Sequence, residues 1–250
     1  MSEPHDAGDG RTAREAHAAA IEWATFDCYG TLIDWERGIT DVLVALLADA
    51  GERGAEAARL DRHELALRYI ECEAGVEDGE YAPYRDVLAR ACRRVCSEFG
   101  VELPAGREEA LPRSLPDWLP FEETTETLLA LQAQGVKIAI LSNVDRDLIA
   151  ASIAHIGLEP ELIITAQDAR SYKPAHGHWR EFAAKSGASP GNTLHVGASI
   201  YHDMIPAEEL GYRTVFINRH AEAVVECEPL ASLPDLRDLP RIVHALRTRV

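Results

Sequence analysis

Four short apolar runs in the second half of the chain constrain the fold more than any other feature. They lie at 136–141, 162–165, 193–196 and 214–217. Segments with an apolar helical face alternate with them, at 123–134, 148–156, 178–187 and 204–211. Runs that are nearly continuous in apolar residues are typical of strands buried on both faces of a parallel sheet. The alternation predicts βαβ crossovers and therefore an α/β fold with a Rossmann-like, doubly wound parallel sheet.

The first strand of this sheet is predicted at 21–27, far from the others in sequence. Between 34 and 116 the apolar residues follow a helical period and no strand is evident, and prolines punctuate the end of this stretch. We therefore expect a core domain of 20–33 and 117–250, with a helical cap domain of 34–116 inserted after the first strand. Residues 1–19 are polar and acidic and are expected to form a flexible arm.

Charge and composition exclude several functions. The 250 residues carry 25 Lys and Arg against 42 Asp and Glu, a formal net charge of −17, so no basic surface is available to bind nucleic acid. No apolar run reaches the roughly 18 residues of a membrane span. Five cysteines without a paired CxxC pattern indicate reduced thiols and a cytoplasmic protein. The expected partner is a small-molecule substrate, and a homodimer is compatible with the sequence.

Chemically informative residues follow four of the predicted strands. They are Asp27 after the first, Ser142 and Asn143 after the next, Lys173 beyond the third, and Ser199 and Asp203 after the fourth. Ligands of open α/β sheets bind at the carboxyl ends of the strands, so these side chains are expected to meet. A carboxylate nucleophile, hydrogen-bond donors and a cation for developing negative charge would then share one site.

These residues, in this order, resemble the four motifs of the haloacid dehalogenase superfamily. The likeness extends from about residue 20 to 245. The first motif, Asp27-Cys28-Tyr29-Gly30-Thr31, has Tyr29 at its third position, and this variant resembles the type II branch, which contains the L-2-haloacid dehalogenases. The resemblance implies a helical cap and a catalytic set with Asp27 as nucleophile, Thr31 and Ser142 as its orienting partners, Lys173 as charge partner, and Asp203. It also implies a substrate-binding set of Tyr29, Asn143, Trp179 and Ser199.

Tyr29 favours dehalogenation over phosphate ester hydrolysis. Phosphatases of this superfamily carry a second Asp two residues after the nucleophile, which protonates the leaving alkoxide, and here that position is Tyr29. Loss of a general acid typically lowers the rate by about 10²–10⁴-fold. A halide leaves as a stable anion and needs no proton. We therefore expect Asp27 to displace halide from a small 2-haloacid with inversion, through an aspartyl ester that water hydrolyses.

The same resemblance keeps two other functions open. Ala198 replaces the first Asp of the phosphatase-like fourth motif, so a Mg²⁺ ion would retain only Asp27, the backbone carbonyl of Tyr29 and Asp203. We expect no cofactor and a metal-free site that relies on Lys173. The alternatives are a weak Mg²⁺-dependent phosphatase and a small-molecule-binding member with low turnover.

The sequence also departs from the dehalogenase pattern. Six residues after the motif lysine the dehalogenases have Tyr, where this chain has Trp179. They grip substrate with an Arg from the early cap, and no Arg here falls at a spacing that matches. Three arginines lie in that region: Arg53, Arg62 and Arg68. Hinges are expected at 33–35 and 116–120, where the chain passes between core and cap.

Overall fold

Six parallel strands form one sheet in the computed structural model, which describes residues 20–77 and 80–248. The strands are β1 (Trp23–Phe26), β2 (Lys137–Ser142), β3 (Leu162–Thr165), β4 (Thr193–Gly197), β5 (Arg213–Ile217) and β6 (Ala231–Leu233). Their order across the sheet is β3-β2-β1-β4-β5-β6. The chain thus winds outward from β1 in both directions, and the predicted doubly wound α/β sheet is confirmed.

Both faces of the sheet are buried, which explains why the strands are continuous apolar runs. In β2, Ile138 and Ile140 belong to the larger apolar core, whereas Ala139 and Leu141 belong to a second core on the opposite face. Successive side chains of a strand point to opposite faces, so a strand that contributes to both cores is apolar at most of its positions.

Helices flank the sheet and also form the long insert between β1 and β2. The insert contains α1 (Trp35–Ala48), α2 (Gly51–Ala57), α3 (Arg62–Glu77), α4 (Tyr84–Glu98) and α5 (Ala110–Ser114). The remaining helices are α6 (Thr124–Ala133), α7 (Arg146–Ile156), α8 (Ala166–Ala169), α9 (Gly177–Ser186), α10 (Ile205–Glu209) and α11 (Leu239–Thr248). At the ends of α7 and α9, Gly157 and Gly187 adopt φ of +70° and +68°, the left-handed conformation that glycine accepts without strain.

The chain enters and leaves the helical insert at one place. Ile33 and Pro120 form an antiparallel bridge, Asp34 N donates to Leu119 O at 3.0 Å, and Phe121 N donates to Leu32 O at 3.0 Å. The two segments predicted as hinges therefore lie side by side and bond to each other. The division into core and cap at 34–116 stays a prediction, and the arm predicted at 1–19 lies outside the described residues.

Two elements beyond residue 217 were absent from the sequence prediction. The edge strand β6 has only three residues, and two of them are not buried, so it leaves no apolar run to detect. Helix α11 buries a narrow stripe formed by Leu239 and Val243. Among the described residues, no helix is both long enough and apolar enough to cross a membrane.

Candidate active site

A buried ammonium group lies between two carboxylates at the carboxyl edge of the sheet. Lys173 Nζ donates to Asp27 Oδ1 at 2.8 Å and to Asp203 Oδ1 at 2.6 Å. Lys173 and Asp203 are 2% and 1% exposed, and Asp27 is 9% exposed. Three predicted residues from distant parts of the chain therefore meet in one cluster of net charge −1.

Asp27 is held through both of its carboxylate oxygens. It follows β1 directly, and its backbone N–H continues the sheet by donating to Val196 O at 2.9 Å. While Lys173 binds one oxygen, the Thr31 hydroxyl donates to the other, Oδ2, at 2.9 Å. Arg219 fixes the same loop from outside, donating to Gly30 O at 3.1 Å and to Thr31 O at 2.9 Å. The loop after β1 is therefore preorganised around the carboxylate.

Asn143 holds Lys173 in place through its backbone. The side-chain amide of Asn143 accepts from Lys173 N at 2.7 Å and donates to Lys173 O at 3.1 Å. This two-point contact links the end of β2 to the segment that follows β3. Asn143 also lines the cleft above the sheet. It therefore positions Lys173 and is in addition accessible from the cleft.

Asp203 is packed tightly against the end of β4. A Cβ at Gly197 would lie 2.5 Å from Asp203 Cβ, so only glycine fits there. The second carboxylate oxygen, Oδ2, accepts from Ser199 N at 3.2 Å, and His195 Nε2 lies 3.6 Å from Oδ1. Ile200–Met204 forms a π-helical turn, a rare geometry that is frequent at functional sites, and this turn carries Asp203.

The three charged groups respond differently to burial. Burial would lower the pKa of Lys173, but Asp203 and Asp27 hold it above the ordinary value. Burial would raise the pKa of Asp203, but Lys173 and His195 hold it well below its usual range. Burial raises the pKa of Asp27, and Lys173 opposes that rise. Asp203 is thus the ionised partner that stabilises the ammonium of Lys173. Asp27 is the carboxylate of the pair that is more easily protonated.

Ser142 does not orient Asp27 as expected. Its side chain is 1% exposed, it lines the cleft, and its hydroxyl has no hydrogen-bond partner among the described residues. The Ser142 carbonyl is instead bonded to His178 Nε2 at 3.1 Å, and burial lowers the pKa of that imidazole to about 3. A neutral His178 therefore holds the Ser142 backbone and does not occupy the Ser142 hydroxyl.

A cleft of about 1240 Å³ lies over these residues, walled by the helical insert. Of the three candidate arginines, only Arg62 lines it. Arg62 donates to Thr40 Oγ1 at 2.8 Å and pairs with Asp41 at 2.6 Å. Arg53 and Arg68 are not among the lining residues. Two aromatic residues of the insert, Trp35 and Tyr84, also line the cleft.

Tyr29 forms part of the cleft wall but is not placed as a proton donor. Its hydroxyl is bonded to Ser152 Oγ at 2.9 Å, and burial raises the pKa of the phenol well above its ordinary value. The ring packs edge-on against Trp118 with centroids 5.8 Å apart. Tyr29 therefore supplies an apolar surface beside Asp27.

Trp179 and Ser199 have different surroundings from those expected of substrate-binding residues. Trp179 is 1% exposed and does not line the cleft; it packs in the second core, edge-on to His195 at 5.2 Å between centroids. The sequence interpretation of Trp179 is corrected, because α9 directs this side chain into the second core and away from the cleft. Ser199 lines the cleft, but its hydroxyl accepts from His202 N at 3.0 Å and so caps the turn that carries Asp203.

Sequence reasoning missed the part played by Asp145, which it interpreted as a helix-start residue. Asp145 does precede α7, but its carboxylate accepts from the backbone N–H groups of Tyr84 and Arg85, both at 3.0 Å. A residue of the sheet region thereby caps α4 of the insert. Nothing in the local sequence signals this contact, because its partners lie about 60 residues away.

Comparison with known proteins points to one family. The haloacid dehalogenase-like hydrolase family model matches residues 21–211. The chain is 28% identical over 231 residues to haloacetate dehalogenase H-2 of Moraxella sp. (strain B), covering 90% of this chain and 98% of that protein. It is 26% identical over 217 residues to (S)-2-haloacid dehalogenase of Pseudomonas sp. (strain YL), covering 86% and 89%.

A solved structure shares the fold. The L-2-haloacid dehalogenase of Xanthobacter autotrophicus with chloropropionic acid covalently bound superposes with a TM-score of 0.74 at 21% identity, over 90% of this chain and 98% of that one. The sheet and helical insert described above therefore have a counterpart in that protein.

The position of Trp179 yields a prediction about stability. We expect Trp179→Ala to lower the free energy of unfolding by about 3–5 kcal/mol, because it empties a fully packed site in the second core. Leu129→Ala removes an apolar side chain that is 51% exposed and should change stability by less than about 0.5 kcal/mol. Urea denaturation of both variants tests this, and a loss below about 1 kcal/mol for Trp179→Ala would contradict the core assignment.

Proposed function

The chain belongs to the haloacid dehalogenase-like hydrolase family, and we propose that it cleaves the carbon–halogen bond of small 2-halocarboxylic acids. One observation carries the proposal. The Asp27 carboxylate lies at the floor of the cleft, held by Lys173 and Thr31, beside a Ser142 hydroxyl that has no partner among the described residues. A fixed carboxylate and a free donor are what attack on a bound anionic substrate requires.

The proposed reaction has two steps. A carboxylate oxygen of Asp27 forms a bond to C2 of the substrate, and the carbon–halogen bond breaks with its electron pair leaving on halide. Water then adds to the Asp27 carboxyl carbon, which releases the 2-hydroxy acid, restores the carboxylate and yields one proton to solvent. The sum is a haloacid and water giving a hydroxy acid, halide and a proton.

Each neighbour of Asp27 has a distinct role in this scheme. Thr31 and Lys173 keep the carboxylate in one orientation, so attack needs little reorganisation. Asp203 keeps Lys173 protonated and positioned, acting through it and not on the substrate. The Ser142 hydroxyl donates to the substrate carboxylate, and Arg37 and Arg62 are the arginines of the insert that line the same cleft.

Phosphate ester hydrolysis has weaker support. The side chain two residues after Asp27 is a tyrosine whose hydroxyl is committed to Ser152, so no proton donor faces the leaving group from that position. Ala198 offers no side-chain oxygen for Mg²⁺, and Lys173 already binds both remaining carboxylates. Mg²⁺ requires several oxygen ligands in octahedral geometry, and this donor set does not fit it.

The substrate class follows from the relatives and the cleft. The relatives named above act on haloacetate and (S)-2-haloacids, and we infer the same small halogenated acids for this chain. Five unpaired thiols support a reducing, cytoplasmic setting as part of the proposal. The homodimer stays a prediction.

Halide release tests the proposal directly. We expect release from haloacetates and from one or both enantiomers of 2-chloropropionate, unchanged by EDTA because Lys173 supplies the cation. Asp27→Asn should lower the rate by about 10³-fold or more, since it removes the nucleophile. The matched control, Asp86→Asn, changes an exposed carboxylate of α4 and should leave the rate intact.

The same panel separates the alternatives. Release of phosphate from p-nitrophenyl phosphate that depends on added Mg²⁺, without halide release from any haloacid, would replace the proposal with the phosphatase. Turnover of neither class by a folded protein would leave a binding role.

Oxygen isotopes test the ester intermediate. In H₂¹⁸O with enzyme in excess over substrate, the first product molecule should carry ¹⁶O from Asp27, because water attacks the aspartyl carbon and not C2. The peptide containing Asp27 should gain ¹⁸O in the same reaction. Mass spectrometry of product and peptide measures both, and ¹⁸O in the first product would contradict covalent catalysis.

The raised pKa of Asp27 predicts an acid limit to activity. The nucleophile works only as a carboxylate, so kcat/KM is full above this pKa and falls tenfold per pH unit below it. We expect the midpoint to lie above 3.8, the ordinary value for Asp, because burial favours the neutral form. A midpoint below 3.8 would contradict this environment.

Two controls accompany the pH profile. Circular dichroism over the same pH range must show a folded protein. Burial lowers the pKa of His202 in the cleft wall to about 4, so His202→Asn must retain the acid limb if that limb belongs to Asp27.

A further inference from the structure

Two imidazoles and a carboxylate converge on one point at the cleft wall, apart from Asp27 and Lys173. His63 Nδ1 lies 3.3 Å and His220 Nε2 lies 3.2 Å from the same oxygen, Glu36 Oε2. The two imidazole rings stack with centroids 4.3 Å apart and 23° between their planes. All three donor atoms lie within 4.8 Å of one another, and no other trio of His, Cys, Asp or Glu side chains in the described part of the chain does so.

This donor set has the chemistry of a transition-metal site. Imidazole nitrogen is a good ligand for Zn²⁺, Ni²⁺, Co²⁺ and Cu²⁺, whereas Mg²⁺ and Ca²⁺ prefer oxygen throughout. Two His and one carboxylate are a common set for catalytic zinc, which keeps a further position for water or another ligand. The side chains are 21–44% exposed, so a metal ion can reach them from solvent.

The three residues come from separate parts of the fold. Glu36 is in the first turn of α1, His63 is in the first turn of α3, and His220 follows β5 and Arg219 in the sheet region. Helices α1 and α3 belong to the insert, so the cluster spans the boundary between the insert and the sheet. All three residues line the cleft.

We propose that Glu36, His63 and His220 bind a divalent transition-metal ion that ties the helical insert to the sheet region at the cleft wall. The bound ion replaces the contacts in which both imidazoles share one carboxylate oxygen. Because its ligands come from two parts of the fold, the bound ion adds one link between the insert and the sheet region. This site is separate from the Asp27 chemistry and does not depend on the proposed dehalogenation.

Zn²⁺ and Co²⁺ are the probes for this site. The EDTA-treated and dialysed full chain is titrated with Zn²⁺ by calorimetry, and Co²⁺ is followed by its visible ligand-field absorption. We expect one equivalent to bind, and His63→Ala, His220→Ala and Glu36→Gln each to weaken binding by at least about tenfold, since loss even of outer-shell partners costs about 10–100-fold. The three side chains are partly exposed, and thermal unfolding checks that each variant folds.

The matched control is His176→Ala. His176 Nε2 lies 2.9 Å from Glu209 Oε2, a His–Glu contact like those of the cluster, but neither residue lines the cleft. This variant should therefore bind Zn²⁺ like the wild type. Absence of stoichiometric binding at pH 7.5 would overturn the proposal, and so would Zn²⁺ binding that all three cluster variants retain. Halide release is measured separately, so failure here leaves the dehalogenase proposal standing, and the reverse also holds.

Discussion

The rest of the site depends on the ammonium of Lys173 between Asp27 and Asp203. Buried charges are strongly unfavourable unless they are paired, and removing one partner of a buried pair leaves an uncompensated charge. The ends of β1 and β4 and the segment after β3 must therefore meet within hydrogen-bond distance of one nitrogen. Gly197 leaves room for Asp203, and Asn143 fixes the backbone of Lys173, so the local sequence at each strand end serves this one contact.

This dependence explains why the central trio could be predicted from sequence. Continuous apolar runs identify strands buried on both faces, parallel strands share one carboxyl edge, and Asp27, Lys173 and Asp203 each follow such a strand. Their meeting is a consequence of topology and does not require knowledge of side-chain conformation. The role of Thr31 was implied by the resemblance to the haloacid dehalogenase superfamily, and its hydroxyl does donate to the Asp27 carboxylate.

Other features depend on contacts that no local pattern encodes. Trp179 is six residues from Lys173, yet the direction of α9 sends its ring into the second core. The Ser142 side chain could reach either Asp27 or a ligand, and only the structure distinguishes them. Asp145 caps a helix about 60 residues distant, and Glu36, His63 and His220 are contributed by three elements. A single sequence specifies which residues line a strand or helix face, but such long-range partners arise only from how the elements pack.

Beside Asp27 the cleft thus contains a cation that belongs to the chain, Lys173, and at Glu36 it contains a proposed site for an exchangeable cation. Lys173 is built into the chain, is buried, and is held by two carboxylates, so the charge next to Asp27 does not vary with the ions in solution. The cluster at Glu36 is partly exposed and lies where the insert meets the sheet region, a boundary that contains aromatic contacts such as Tyr84 with Tyr172 as well as hydrogen bonds such as Tyr172 to Ala82 O. A metal ion bound there adds a removable link to that boundary and leaves the nucleophile and its partners unaltered.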